Sequence, residues 1–109
     1  MGKVIICFQY VERIKSELLI SVNFLELIID LKDDEQNGAN KLFRWYLDAV
    51  IGEINIAYNV INGQDFLQAS EKMKTAKERV NLMLFQDAIC KFQKPYLLLQ
   101  TAANGSCRF

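Results

Sequence analysis

Apolar residues recur along this chain at steps of three and four, the mark of helices with one face turned inward. In a first segment, roughly residues 8 to 32, Val11, Ile14, Leu18, Leu25 and Ile29 line one face, and Glu12, Ser16, Asn23, Glu26 and Asp30 fall opposite as a solvated stripe. The polar stretch DDEQNGAN, residues 33–40, breaks the pattern and is expected to be a connector with Gly38 at its turn. A second helix is expected from about Lys41 to Ile61. Along it Phe43, Leu47, Val50, Ile54, Ala57 and Ile61 form a seven-residue seam, opposed by a narrow polar face of Arg44, Asp48, Asn55, Asn59 and Asn62. NGQD, residues 62–65, reads as a tight turn. Asn62 and Gly63 suit a helix end, and Asp65 suits the next N-cap with Gln68 completing a capping box.

A third helix is expected from Phe66, with Phe66, Ala69, Met73, Ala76, Val80 and Met83 inward; the small Ala69 and Ala76 admit a close neighbour. Beyond Met83 the stripe rotates to Phe85, Ile89 and Phe92, which predicts a break between Asn81 and Gln86. Lys94, ahead of Pro95, is expected outside helical geometry. Pro95 then opens a short last helix, PYLLLQTAA, ended by Asn104 and Gly105, with residues 104–109 frayed. VIICFQY, residues 4–10, reads as helix or as an extended apolar arm, because no second strand-like run exists to pair with it. Together these elements predict an all-α fold in one domain, residues 1–109: an antiparallel up-and-down helical bundle of three long helices plus a short C-terminal fourth.

The apolar arc is wider than such a bundle needs. At 100° per residue the second helix is apolar over roughly 240° of its circumference, against a little over 100° for a core-facing stripe. The first helix carries a second seam of Ile20, Phe24, Leu27 and Leu31. Contiguous apolar surface of this kind marks association, so Ile20, Phe24, Leu27, Leu31, Trp45 and Ile56 are the expected interaction surface. The partner is expected to be a second copy of the chain or another helical protein.

Charge adds little to this picture. Thirteen basic residues balance thirteen acidic ones, so no global field draws nucleic acid or an anionic membrane. The balance is uneven along the chain, with seven acidic and four basic side chains in residues 1–40 and six and nine in residues 41–109. A basic set on and after the third helix, Lys72, Lys74, Lys77, Arg79, Lys91 and Lys94, supports an alternative reading as a nucleic-acid-associated protein, although Glu71 and Glu78 dilute it. The most apolar run, LLISVNFLELIIDL, has 14 residues and includes Asn23, Glu26 and Asp30, so no membrane span is expected. No targeting segment is read, and the chain is expected to be cytoplasmic. Cys7, Cys90 and Cys107 are odd in number and far apart. They are expected to be reduced, Cys7 and Cys90 as small apolar residues and Cys107 as an inert thiol in an exposed tail.

The residue types exclude more chemistry than they suggest. There is no histidine, which removes Ser-His-Asp and Cys-His nucleophiles, HExxH zinc sites and Glu-x-x-His di-iron bundles. DDEQNGANKLFR, residues 33–44, starts like an EF-hand loop, with Asp33, Glu35, Asn37 and Gly38 in register. It then places Lys41 and Arg44 where calcium requires oxygen. No phosphate loop, metal site or cofactor-binding pattern is found, and no enzymatic activity is expected. Glu53 falls on the apolar side of the second helix and is expected to pair with a Lys or Arg of a neighbouring helix or subunit, since a lone buried carboxylate is costly; the alternative reading is a polar switch or ligand contact.

AYNVINGQDFLQASEKMKTA resembles the helical hairpins of tetratricopeptide-repeat and microtubule-interacting-and-transport domains, with Phe66, Ala69, Met73 and Ala76 on the aromatic–Ala–large–Ala steps. It is also similar to part of the flagellin-export chaperone bundle. The turn carries one extra residue, the hairpin occurs once, and the repeat's closing proline is missing from its place, so the resemblance implies a packed hairpin and no family.

Overall fold

A computed structural model of the chain describes residues 2–105 and 107, with all of their side chains except those of Lys3 and Asn104. These residues are helical throughout apart from turns. They form α1 (Gly2–Asp30), α2 (Asp33–Ile61), α3 (Gln64–Asn81), α4 (Phe85–Lys91) and α5 (Gln93–Asn104). The chain runs up and down four times, because α4 and α5 together make one bent return arm. The helices form a closed ring in which α1 packs on α2 and on the α4–α5 arm, α2 on α3, and α3 on the arm; among the described residues no two helix backbones meet across a diagonal, which only core side chains such as Phe43 and Phe92 span. The rod measures 50 × 19 × 18 Å.

The inward stripes fill this ring. Val11, Ile14, Leu18 and Leu25 of α1 are buried against Phe43, Leu47, Val50, Ile54, Ala57 and Ile61 of α2 and Phe66, Ala69, Met73, Ala76 and Val80 of α3. On α1 the seam ends at Ile28, one residue short of the expected Ile29, which is half-buried. Phe43 anchors one end, with its ring 5.3 Å from that of Phe24 and 6.5 Å from that of Phe92.

Helix ends account for most departures from expectation. Residues 33–40 are helical, and the turn before them holds only Leu31 and Lys32. Asp33, Asp34 and Glu35 occupy the first turn of α2, where carboxylates complement the positive end of the helix dipole. Asp33 takes the left-handed φ of 52° that the sharp reversal requires, and Gln36 Nε2 donates to the Ile28 carbonyl at 3.1 Å, closing the end of α1. Gly38 is therefore an exposed position within α2. At the next turn Asn62 adopts φ 65° and its N–H donates to Tyr58 O at 2.6 Å. Gly63 is the N-cap of α3, and Asp65 lies in the first helical turn, so the expected capping box does not form.

The break after α3 is a Schellman turn. Met83 N–H reaches Val80 O at 3.0 Å, Leu84 N–H reaches Arg79 O at 2.9 Å, and Met83 sits at φ 59°. The left-handed position turns Met83 away from the core, so it is exposed and not inward as its spacing suggested. Pro95 falls in the first turn of α5, where a missing N–H is tolerated, and Lys94 is helical with it. At the other end α1 begins at Gly2, which settles residues 4–10 as helix.

The cysteine reading is corrected. Cys107 N–H donates to Ala102 O at 2.9 Å, which folds the chain back over the end of α5. There Cys107 is fully buried and forms a disulfide with the equally buried Cys7, across a Cα–Cα distance of 5.3 Å and a sequence separation of 100. Cys90, expected in the core, is the free and exposed thiol. Position 107 is thus fastened and not frayed, while residues 106, 108 and 109 lie outside the described set.

Two stability changes follow. A bridge closing a loop of this length restricts the unfolded chain, so Cys107→Ser should lower the unfolding free energy by about 2–4 kcal/mol in urea titration, and reductant should reproduce the loss in the wild type. Met83→Gly should raise it by about 1 kcal/mol, because glycine occupies the left-handed region without Cβ strain.

Candidate interaction face

Contacts between α1 and α2 show which side of each helix turns toward the other. Phe24 stacks on Phe43, Tyr46 Oη donates to the Glu17 carbonyl at 3.3 Å, and Arg13 Nε meets Glu53 Oε1 at 2.6 Å. Residues just outside this seam share the outer face of the hairpin. At 100° per residue these are Ile20, Phe24 and Leu27 on α1, and Leu42, Trp45, Ala49, Ile56 and Val60 on α2. The antiparallel register that pairs Phe24 with Phe43 sets Ile20 beside Trp45 and Phe24 beside Leu42.

Of the six residues expected at an interaction surface, Ile20, Phe24, Leu27, Trp45 and Ile56 are exposed, with Leu27 at 68% and Trp45 at 66%. Leu31 is half-buried in the α1–α2 turn. The structure brings Ile20, Phe24, Leu27 and Trp45 together. Ile56 stands apart, about 16 Å along α2 from Trp45 at 1.5 Å per residue. Leu42, 61% exposed, joins the group although the sequence pattern did not single it out. Its spacing three residues before Trp45 carried that signal, but a helix expected from about Lys41 placed it at the very start of the element.

Between the two apolar stretches lies a charged cluster. Arg13, on α1, reaches Glu53 across the helix pair and Glu17 at 3.8 Å within its own helix. Glu53 thus has the cationic partner expected for it. The two carboxyls lie close together and are largely covered, with side chains 20% and 16% exposed. Burial, and then the neighbouring Glu53 carboxyl, push the Glu17 carboxyl up to about 7, against the opposing pull of Arg13. The Tyr46 hydroxyl is also held above its ordinary value, chiefly by burial and then by Glu17.

The six basic residues of the alternative reading do not form one face. Lys77 is paired with Asp48 of α2. Lys72, Arg79, Lys91 and Lys94 instead line a groove of about 420 Å³ between α3 and the α4–α5 arm, beside Cys90. Lys74 is not among the residues lining that groove. Asp87 neutralises part of the groove, at 3.1 Å from Arg79 and 3.8 Å from Lys91.

Among the described residues no group of His, Cys, Asp and Glu is arranged to hold a metal ion, and no helix is long and apolar enough to cross a membrane. Compared with known proteins, the chain matches no family model, no curated protein and no solved structure.

The Glu17 shift has a definite sign. A carboxyl whose folded value lies above its unfolded one binds its proton more tightly when folded, so its contribution is full below about 4.5 and is lost as pH rises through about 7. The urea midpoint should therefore fall between pH 5.5 and pH 8. Glu17→Gln should flatten that fall and stabilise the fold by about 1 kcal/mol at pH 8.

Proposed function

We propose that this chain is a non-enzymatic helical interaction module that works as a homodimer, two copies meeting through the outer face of the α1–α2 hairpin. The observation that carries this reading is the cluster of Leu27, Leu42 and Trp45, each more than 60% exposed and gathered with Ile20 and Phe24 on one face. An aromatic side chain presents about 150–250 Å², so Trp45 alone leaves more than about 100 Å² of apolar surface in water.

The size of the face favours a second copy as its occupant. Two helices of 29 residues extend about 43 Å. With the rod's 18–19 Å width they present roughly 800 Å², the share each partner contributes to a standard stable interface. A two-fold axis through the face would set each copy's apolar stretch against its twin. The composition suits this use, with tryptophan and phenylalanine in its larger apolar stretch and few charges. Those charges, Arg13, Glu17 and Glu53, engage one another within each copy. The total surface of 6433 Å² is close to the roughly 6,200 Å² expected of a monomer of this mass, so the unusual property is the nature of the surface and not its extent.

For the compartment, the Cys7–Cys107 bridge favours an oxidising environment over the cytoplasm that the cysteine count suggested.

Light scattering at micromolar concentration should give twice the 12.6 kDa chain mass. The emission of Trp45, the single tryptophan, should shift to the blue as concentration rises through the dissociation constant. Leu27→Lys with Trp45→Glu should give a helical monomer. A wild-type chain that stays monomeric with concentration-independent emission would refute the homodimer, and a stable complex with a different helical protein through the same face would reassign its partner.

A further inference from the structure

A different side of the bundle carries two clefts that flank α5. One, of about 450 Å³, opens between α1 and the α4–α5 arm and is walled mainly by Leu18, Leu19, Val22, Ile89, Phe92 and Leu97, with Gln93 and Tyr96 as its polar members. The other is the basic groove on the α3 side of the same arm. The two share Gln93 and Leu97, so only a ridge one helical turn long separates an apolar cleft from a cationic one. Leu97, on that ridge, is 56% exposed.

The charges on the two sides differ in availability. Arg79 and Lys91 share Asp87, but Lys72 and Lys94 have no ion-pair partner among the described residues. On the apolar side Lys15 is already engaged, with Nζ 5.4 Å from the centre of the Tyr96 ring and 3.6 Å from Glu12 Oε1. An anionic group approaching α5 is therefore drawn to the α3 side, while an alkyl group gains most on the α1 side.

We propose that the two clefts form one binding site for a free, single-chain carboxylate amphiphile, its alkyl chain against Leu19, Val22 and Ile89 and its head across the Leu97 ridge against Lys72 and Lys94. The apolar cleft falls within the 300–1,000 Å³ typical of small-molecule sites, and the few polar groups at its edge orient the ligand and add little to affinity. Unpaired lysines distinguish an anion from a neutral alcohol of the same length. None of these residues belongs to the outer face of the α1–α2 hairpin, so ligand binding and dimerisation do not compete.

Calorimetry with octanoate, decanoate and decan-1-ol, each below its aggregation limit, tests the assignment. Affinity should rise about fourfold for each CH2 added to the carboxylate. Lys72→Ser with Lys94→Ser, both exposed positions, should weaken decanoate about tenfold and leave decan-1-ol unchanged. Leu19→Glu should weaken both ligands, Lys15→Met neither, and bound decanoate should slow alkylation of Cys90, which lines the cationic groove. The proposal falls if the natively helical protein binds neither ligand, if the lysine pair affects acid and alcohol alike, or if the chain binds vesicles of anionic phospholipid but no monomeric carboxylate.

Discussion

A closed ring of four helix positions, its backbones meeting only along the sides among the described residues, sets the terms for everything else in this protein. Each helix backbone packs beside two neighbours and can bury one stripe toward the centre they enclose. α3 meets this limit with a narrow inner stripe of Phe66, Ala69, Met73, Ala76 and Val80 and a charged exterior. α1 and α2 exceed it, because after filling the core they still carry Ile20, Phe24, Leu27, Leu42 and Trp45. The surplus has nowhere to go inside a ring of this size, since an interior near close packing has no room for another layer. It therefore lies on the outer side of the hairpin, where the association reading begins. The ring is fastened where its first and last helices meet, by Cys7–Cys107, and near its opposite end by Arg79 with Asp87 and by Asn40 Nδ2, which donates to Val80 O at 3.3 Å.

The charged cluster within the apolar face follows from the same geometry. Arg13, Glu17 and Glu53 sit where the hairpin seam approaches solvent, so each carboxyl is mostly covered while the guanidinium stays exposed. One cation facing two carboxyls leaves one of them without full compensation, and Glu17 responds by holding its proton toward neutrality. The local charge near pH 7 is consequently close to balanced. A cluster in that state costs less to cover than three independent ions, which makes the face more uniform than its residue types suggest.

Spacing revealed the regular parts of the fold and hid the irregular ones. The seams of α2 and α3 and the break after Asn81 were legible because a three-to-four step means one thing in a long amphipathic segment. Residues 33–40 misled because Asp, Asn and Gly favour turns in isolation, yet three acids at a helix start are also stabilising, and packing decided between the two. Met83 kept its spacing and lost its place, since a left-handed turn residue redirects a side chain without changing the register. The disulfide was beyond reading, because pairing across 100 residues depends on how the last turn of α5 folds back, and three cysteines allow more than one partner. At the candidate face, the exposed seam of α1 was visible, whereas the involvement of Glu17 required the register between two helices.

The stretch LLISVNFL, residues 18–25, shows how one short segment serves three surfaces. Leu18 and Leu25 point into the core, as does Ser21, whose hydroxyl donates to the Glu17 carbonyl at 2.8 Å. Leu19 and Val22 line the cleft beside α5. Ile20 and Phe24 belong to the outer face of the hairpin. Hydrophobicity around the whole circumference usually indicates a membrane or a fully enclosed helix. Here it has a different origin, because three apolar surfaces of different depth meet on one helix, and Asn23, the exposed polar residue among them, marks the narrow strip of α1 that none of them uses.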